Sequence, residues 1–379
     1  MSDATRPLRV LHLNTERGWR GGERQTVWLA DALQRLGTEN YVAARPDEPL
    51  AERARQAGLA VIRCAPFGEW DLRAALRLRR RMRRLRIDVV HAHTAHAAAL
   101  AALATAGTPV PFVASRRVVF RLRRNPFTRW KYARASAVVA ISEAVRRTLV
   151  ADGIAPERIA VVHSGIDLSR RIEPASAELL RALAVPEGVP LVVQVAHLTA
   201  EKDPVTFVRA VAAARRQVPA LHALLVGGGP LAAAVRAEAA ALGVADIVHL
   251  AGVRADADRF VAAADVVTLT SRQEGLGSVL LDALMLGRPV VATRAGGTVE
   301  VIEHGVSGLL APVGDAEQLG ALVARVLTDG ALAARLRAAG GGRAAEFSTE
   351  RTAQRTLEVY RQVLAGAGVT GGARDPSAE

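Results

Sequence analysis

The chain has 379 residues, half of them hydrophobic, which favours two cored domains over one. Its single cysteine, Cys64, excludes a disulfide framework and fits a reducing, cytoplasmic setting. The formal net charge of +13 is one-sided: residues 1–170 carry 30 basic against 15 acidic side chains and the remainder 20 against 22, with no nucleic-acid-binding motif beside the excess.

Leu8–Leu13 reads as a first strand, and MSDATRPLRVLHLN lacks the long apolar core of a signal peptide. RGWRGGERQTVWLADAL follows. Its Gly21-Gly22 pair precedes a helix, where free amides and the helix dipole favour an anion; a plain turn fits the same pair. Tyr41–Ala44 and Ala60–Arg63 are the next predicted strands. RLRRRMRRLR (Arg77–Arg86) lies in a stretch, residues 72–134, that holds 16 basic residues and one acid, Asp88.

After strand Ile87–His91 comes HAHTAH, with His91 and His93 on one face of a strand and His96 beyond. Zinc needs three or four convergent ligands, and no nearby acid or cysteine completes a set. A histidine at the strand end that hydrogen-bonds a ligand is the favoured reading, and no metal is expected. The alanine-rich run near Ala97–Ala106 is too short to cross a bilayer. Strand Phe112–Ser115 leads into SRRVVFRLRRNPFTRWKYAR (Ser115–Arg134), where Phe120, Phe127, Trp130 and Tyr132 are mixed with charge, as in an interfacial segment. Solvated arginines covering the sheet fit equally. Only Lys131 and Lys202 among the 50 basic residues are lysines. A coding bias towards arginine lowers the meaning of any one arginine, raises that of the two lysines, and leaves the one-sided placement unexplained.

Ala137–Ile141 and Ile159–His163 complete the first series of strands. A join follows with Pro174 and Pro190, and the pattern restarts with Leu191–Ala196, His222–Val226, Ile247–Leu250, Val266–Thr270 and Val290–Thr293. Continuous apolar runs separated by helices predict parallel sheets covered on both faces. The fold class expected is α/β, with two doubly wound Rossmann-like domains facing across a cleft and ligands at the carboxyl ends of the strands. The divisions predicted are a domain over 1–170, a linker over 171–190, a second domain over 191–348, a helix over 349–364 packing back towards the first domain, and a disordered tail over 365–379.

The second series carries the sharper motifs. VVQVAHLTAEKDP places His197 at a strand end and Lys202 five residues on, where a compact ammonium suits a diphosphate; a solvated Glu201–Lys202 pair also fits. LLVGGGPLAAAV does not meet G-x-G-x-x-G, and Pro230 marks a first helical turn. In RADADRF, Asp256 and Asp258 form a D-x-D triplet, for which a helix cap is favoured over a metal. In QEGLGSVLLDALMLGRPVVATRAGG (Gln273–Gly297), Gly275 and Gly277 open a helix whose amides suit a phosphate. Carboxylates accept hydrogen bonds from sugar hydroxyls. Glu274 and Asp282 therefore bracket a nucleotide-sugar on one reading and are surface acids of a strand–turn–helix on the other.

The ordered set RGWRGGERQTVWLADAL, DVVHAH, VVAISEAVRRTL, RIAVVHSGID, LTAEKDP, EGLGSVLLDALMLGRPVVATRAGGTVEVI and EHGVSGLLAP resembles the family 4 (group 1) glycosyltransferases of GT-B fold, over nearly the whole chain. The resemblance implies retaining, metal-independent transfer of a sugar from a UDP- or GDP-sugar, without a cofactor, to a glycan or lipid-linked acceptor of the cell envelope or lipopolysaccharide. It implies that Glu274 and Asp282 contact donor sugar and ribose, that Lys202 meets the phosphates, and that Gly275, Leu276, Gly277 and Ser278 line sugar and diphosphate. Gly21 and Gly22 match the loop that closes on the donor, and Val253 and Arg254 match the stretch facing the base. Three positions depart from the family's pattern. Asp282 stands for the usual Glu, His197 for a phosphate arginine, and SRRV replaces the first-domain histidine. Arg117 lies near that place, with His93 as the other candidate, so Glu274, Lys202, His93 and Arg117 form the expected catalytic set. An anionic membrane surface on the cytoplasmic side is the expected partner of Arg77–Arg86 and Arg116–Arg134. The alternatives are a sugar-nucleotide epimerase and a catalytically idle, glycan-binding homologue.

Overall fold

Strands buried on both faces show no polar alternation, and the apolar runs of this chain form such strands. The computed structural model describes residues 6–123 and 125–366. The first sheet contains β1 (Arg9–Leu13), β2 (Glu39–Ala44), β3 (Ala60–Arg63), β4 (Val89–Ala92), β5 (Phe112–Arg116), β6 (Ala137–Ala140) and β7 (Ile159–Val161). Their order is β3-β2-β1-β4-β5-β6-β7, and every neighbouring pair is parallel. The second sheet contains β8 (Leu191–Val195), β9 (His222–Val226), β10 (Val248–Gly252), β11 (Val266–Leu269), β12 (Val290–Thr293) and β13 (Leu309–Ala311), in the parallel order β10-β9-β8-β11-β12-β13. Central strands such as VVHA of β4 and VVTL of β11 are buried at every residue, whereas the edge strand β3 is not.

Among the described residues, one compact unit holds those up to Asp167 and from Ser348 onward; the other is Leu168–Phe347. In each sheet the winding reverses once, between β1 and β4 and between β8 and β11. Connections from adjacent strands part at such a point and leave room at the carboxyl ends. The residues just after β1, β4, β8 and β11 therefore occupy the positions where this architecture takes ligands.

The helix Thr349–Leu364 belongs to the first unit. Its Ala353, Leu357 and Tyr360 pack with Val10, Leu29, Leu33 and Val89 in one core, and Ser348 caps its start by accepting the Arg351 amide at 3.2 Å. Tyr360 is fully buried, an apolar contribution of about 1.5–3 kcal/mol for a side chain of this size. The stretch expected as a linker is partly structured: it carries the helix Ala177–Ala182, buries Ala175 and Val185, and hydrogen-bonds Ala175 to the Arg259 carbonyl at 2.9 Å. Strand β13 was not expected, because three residues are too few to show a period. Arg124 of the basic segment and residues 367–379 of the expected tail lie outside the described residues. Among the described residues no helix is long and apolar enough to cross a membrane.

Candidate active site

In the second unit the switch point brings Lys202 and Glu274 together. Gln194, fully buried in β8, ties the loop after β8 to the end of β11: its amide donates to Thr270 Oγ1 at 3.1 Å and its oxygen accepts the Thr270 amide at 3.1 Å. Thr270 Oγ1 in turn lies 3.0 and 2.9 Å from the carbonyls of Lys202 and Asp203. Asp203 caps the following helix, Pro204–Arg215, and accepts Arg272 Nε at 2.7 Å. Lys202 is thereby held beside Glu274, and its ammonium donates to the Glu274 carboxylate. That carboxylate also accepts Ser271 Oγ at 3.0 Å and the Gly275 amide at 3.1 Å, in a residue 8 % exposed.

Glycine permits this packing. A Cβ on Gly296 would lie 2.1 Å from the Glu274 carbonyl oxygen, and one on Gly297 would lie 2.2 Å from that of Gly275. The Gly297 amide donates to the Glu274 carbonyl at 3.0 Å. Gly277 takes φ +87° at the start of the helix Ser278–Met285, and no side chain caps that helix. Its first amides and positive end suit an anion. Leu276 is buried behind the turn.

The other second-unit candidates have local partners. Asp282, 4 % exposed, accepts Arg170 at 2.8 Å, and Arg170 also donates to Asp258. Sequence reading passed over Arg170; its one signal was a basic residue three positions after HSGID. Arg254 grips Asp256 through two bonds of 2.8 and 2.9 Å, and Val253 beside it is 81 % exposed. This corrects the expected cap: Asp256 occupies the cap position of the helix Ala257–Ala263, but its carboxylate serves Arg254, not the helix amides. His197 is exposed, with Nδ1 3.2 Å from the Gly228 carbonyl. The triple glycine serves that contact, since Cβ atoms on Gly227 and Gly229 would lie 2.0 and 2.5 Å from the carbonyls of Ala196 and Leu198.

In the first unit the structure joins His93 and Arg117. Arg117 Nη2 lies 3.3 Å from His93 Nδ1, Nη1 donates to Ser164 Oγ at 3.0 Å, and the buried Nε has no partner among the described residues. Burial pushes the guanidinium down to about 10 against the pull of Glu23, so it stays charged at neutral pH. A Cβ on Gly22 would lie 3.9 Å from Arg117 Cδ, which places the Gly21–Arg35 helix start beside this cation. Glu23, also unforeseen, is buried, accepts the Arg20 amide at 3.0 Å, and has its pKa raised by burial. His12 on β1 joins His91 and His93, and the ligand atoms of the three rings lie within 4.8 Å of one another. The sequence offered two histidines for such a cluster because the third is 79 residues earlier and meets them only through β1–β4 pairing. His96 lies apart, exposed, 3.1 Å from Glu16 and 3.3 Å from Glu69.

Comparison with known proteins agrees with this architecture. Residues 176–343 match the model described as Glycosyl transferases group 1, and residues 19–170 match Glycosyltransferase Family 4. A D-inositol 3-phosphate glycosyltransferase of Saccharomonospora viridis is 32 % identical over 222 residues, 56 % of this chain and 52 % of the relative. The chain thus spans about half the length of that relative and of several others of the same name. The lipopolysaccharide core biosynthesis glycosyltransferase LpsE of Rhizobium meliloti is 28 % identical, over 83 % of this chain and 88 % of its own. The fold matches the crystal structure of Anabaena HepE in complex with UDP and glucose, with a TM-score of 0.81, 22 % identity, and 94 % and 100 % of the two chains covered. Two family models in tandem, matching two Rossmann-like units in the same order, show that the chain belongs to the group 1, family 4 glycosyltransferases.

Proposed function

We propose that this chain is a retaining glycosyltransferase that moves a sugar from a nucleotide-sugar to a glycan or lipid-linked acceptor in cell-envelope or lipopolysaccharide biosynthesis, without a metal or a cofactor. The observation that carries this reading is the contact of Lys202 with Glu274 beside the uncapped start of the helix Ser278–Met285. An ammonium and a row of amides suit a diphosphate, and a carboxylate beside them suits sugar hydroxyls. The printed activities of the relatives, and the UDP and glucose held by HepE, support the same class of donor.

On this reading the donor's diphosphate draws the Lys202 ammonium from Glu274, and the freed carboxylate orients the sugar. Lys202, His197 and the helix amides stabilise the departing diphosphate. The acceptor hydroxyl attacks from the leaving-group face, and a diphosphate oxygen takes its proton. Val253 and Arg254 face the base, and Asp282 reaches the ribose once Arg170 yields. Arg117, beside the Gly21–Gly22 helix start, offers the first unit's cation to an anionic group of the substrate.

The first unit also carries an apolar and basic face suited to an anionic membrane. Phe67, Trp70, Leu72 and Leu76 are exposed there, with Arg77, Arg80, Arg81 and Arg84 exposed on the helix Leu72–Leu85. The Trp70 and Phe127 rings stack with centroids 3.5 Å apart.

The test is a donor screen. Pure protein is incubated with UDP-, GDP- and ADP-sugars, nucleotide release is followed, and Glu274→Gln is compared. Release that is lost in the variant supports the reading. Absence of both release and nucleotide binding would favour an idle homologue.

A further inference from the structure

The buried histidines of the first unit form a chain whose direction is set at both ends. At one end stands Arg117, which can only donate, so His93 Nδ1, 3.3 Å away, must accept. His93 therefore carries its proton on Nε2 and donates to His12 Nδ1 at 3.0 Å. His12 then carries its own proton on Nε2, 3.0 Å from Asn40 Oδ1. The Asn40 amide is oriented independently: its nitrogen donates to Thr38 Oγ1 at 2.8 Å, and that hydroxyl donates to the Leu33 carbonyl at 2.8 Å. The oxygen of Asn40 must then face His12. A single run of donors and acceptors thus leads from a backbone carbonyl to the guanidinium.

We propose that His12 and Asn40 are positioning residues, which hold Arg117 in one orientation through His93 and so aim its buried Nε–H, which has no partner among the described residues, at the substrate's anionic group. The proposal rests on the reading of Arg117 as a substrate-facing cation. His91 steadies the chain from the side: it stacks on His93 with centroids 4.1 Å apart and bonds Tyr360 at 2.6 Å and Ser115 at 2.8 Å. Its hydroxyl partners can each donate or accept, so they set no direction. The groups facing the chain are Arg117, His91 and Tyr360, with Glu23 acting on Arg117. A proton added to His93 Nδ1 would point at an N–H of Arg117, which favours the neutral rings that burial also favours.

The same three rings could suggest a metal site. The chemistry opposes it. Each ring nitrogen already has a hydrogen-bond partner, and a guanidinium, not a carboxylate, sits beside them.

The test uses the full native chain labelled with nitrogen-15. Long-range proton–nitrogen spectra should show His12 and His93 as neutral Nε2–H tautomers from pH 7.5 down to about 5. Arg117 should show separate, slowly exchanging Nη signals. Asn40→Leu removes the acceptor of the His12 Nε2–H; the Arg117 Nη signals should then average, while its Nε shift moves. With a donor found by the screen, Asn40→Leu should lower kcat by about tenfold to a hundredfold and change the donor KM less than about twofold. An Nδ1–H tautomer at His93, Arg117 signals unmoved by Asn40→Leu, or uptake of one Zn²⁺ by the native chain with loss of the Nε2–H signals would each overturn the proposal. If nucleotide-sugars are neither turned over nor bound, the functional reading falls, and the tautomers still decide whether the chain exists.

Discussion

Gly296 lies against the peptide of Glu274 so closely that a side chain at 296 would meet the Glu274 carbonyl at 2.1 Å. The end of β12 thereby sets where the end of β11 presents its carboxylate. Gly296 also holds φ +52°, a conformation that costs an alanine about 1–2 kcal/mol before any clash. Gly296→Ala should lower the unfolding midpoint of the second unit by at least about 3 °C. It should also reduce nucleotide-sugar turnover more than a control such as Gly305→Ala, where φ is also positive but an added Cβ meets nothing within 4 Å, as calorimetry and release assays together would show. Turnover equal to that of the control would break the link between this contact and the site.

Lys202 brings a single compact charge to the Glu274 carboxylate, and an arginine's planar fork would present its donors in a different geometry. Replacing it with methionine should cut turnover by about 10²–10³-fold, the scale of losing one preorganised group from a charged transition state. Lys202→Arg should recover only part of that loss. Release kinetics with the donor found by the screen would measure both. Unchanged turnover in Lys202→Met would remove this residue from the donor site.

The buried histidines predict how stability depends on pH. Desolvation holds His12 at about 4 and keeps His91 and His93 well below the ordinary imidazole value of 6.5. Above pH 6.5 these groups are neutral in both folded and unfolded chains and contribute no pH dependence. As pH falls from 6.5 towards 4, the unfolded chain takes up protons that the folded one refuses, so stability is lost across that window. His12 alone accounts for a loss of about 3 kcal/mol by pH 4. Melting curves between pH 7.5 and 4 should show the first unit weakening below 6.5, less steeply in His12→Gln. A midpoint flat over this range would mean that the rings are protonated in the fold.

Membrane association should depend on salt. Each arginine near an anionic lipid surface contributes about 1 kcal/mol, and added salt screens it. The native chain should sediment with vesicles containing phosphatidylglycerol at low salt and come off as salt rises. Arg77→Ala with Arg81→Ala and Trp70→Ala should weaken this. No binding at low salt would leave the basic face as a solvated surface.

Much of the fold was legible in the sequence because its signals are local. The apolar runs of β8 and β11 could be read as buried parallel strands, and the turn after β11 as a helix start, from a few neighbouring residues. Glu274 and Lys202 stood out for the same reason: one sits in a Gly-Leu-Gly turn, the other is a rare lysine after a strand end. β13 was missed because three residues show no period, and the cap assigned to Asp256 failed because Arg254, two residues away, competes for the same carboxylate.

The amino-acid sequence by itself determined the two parallel α/β units and the loci of the conspicuous acids and lysine, since strand runs, glycine turns and helix starts are short-range physics. Only the tertiary structure decided who meets whom. His12 reaches His93 because β1 and β4 are neighbours in the sheet, although 81 positions separate them. Arg170 finds Asp282 112 positions away, and Tyr360 finds His91 269 positions away, through the packing of elements with no shared local pattern. Sheet order and register set such contacts, and they depend on the free energy of the whole core, which no short window of residues contains.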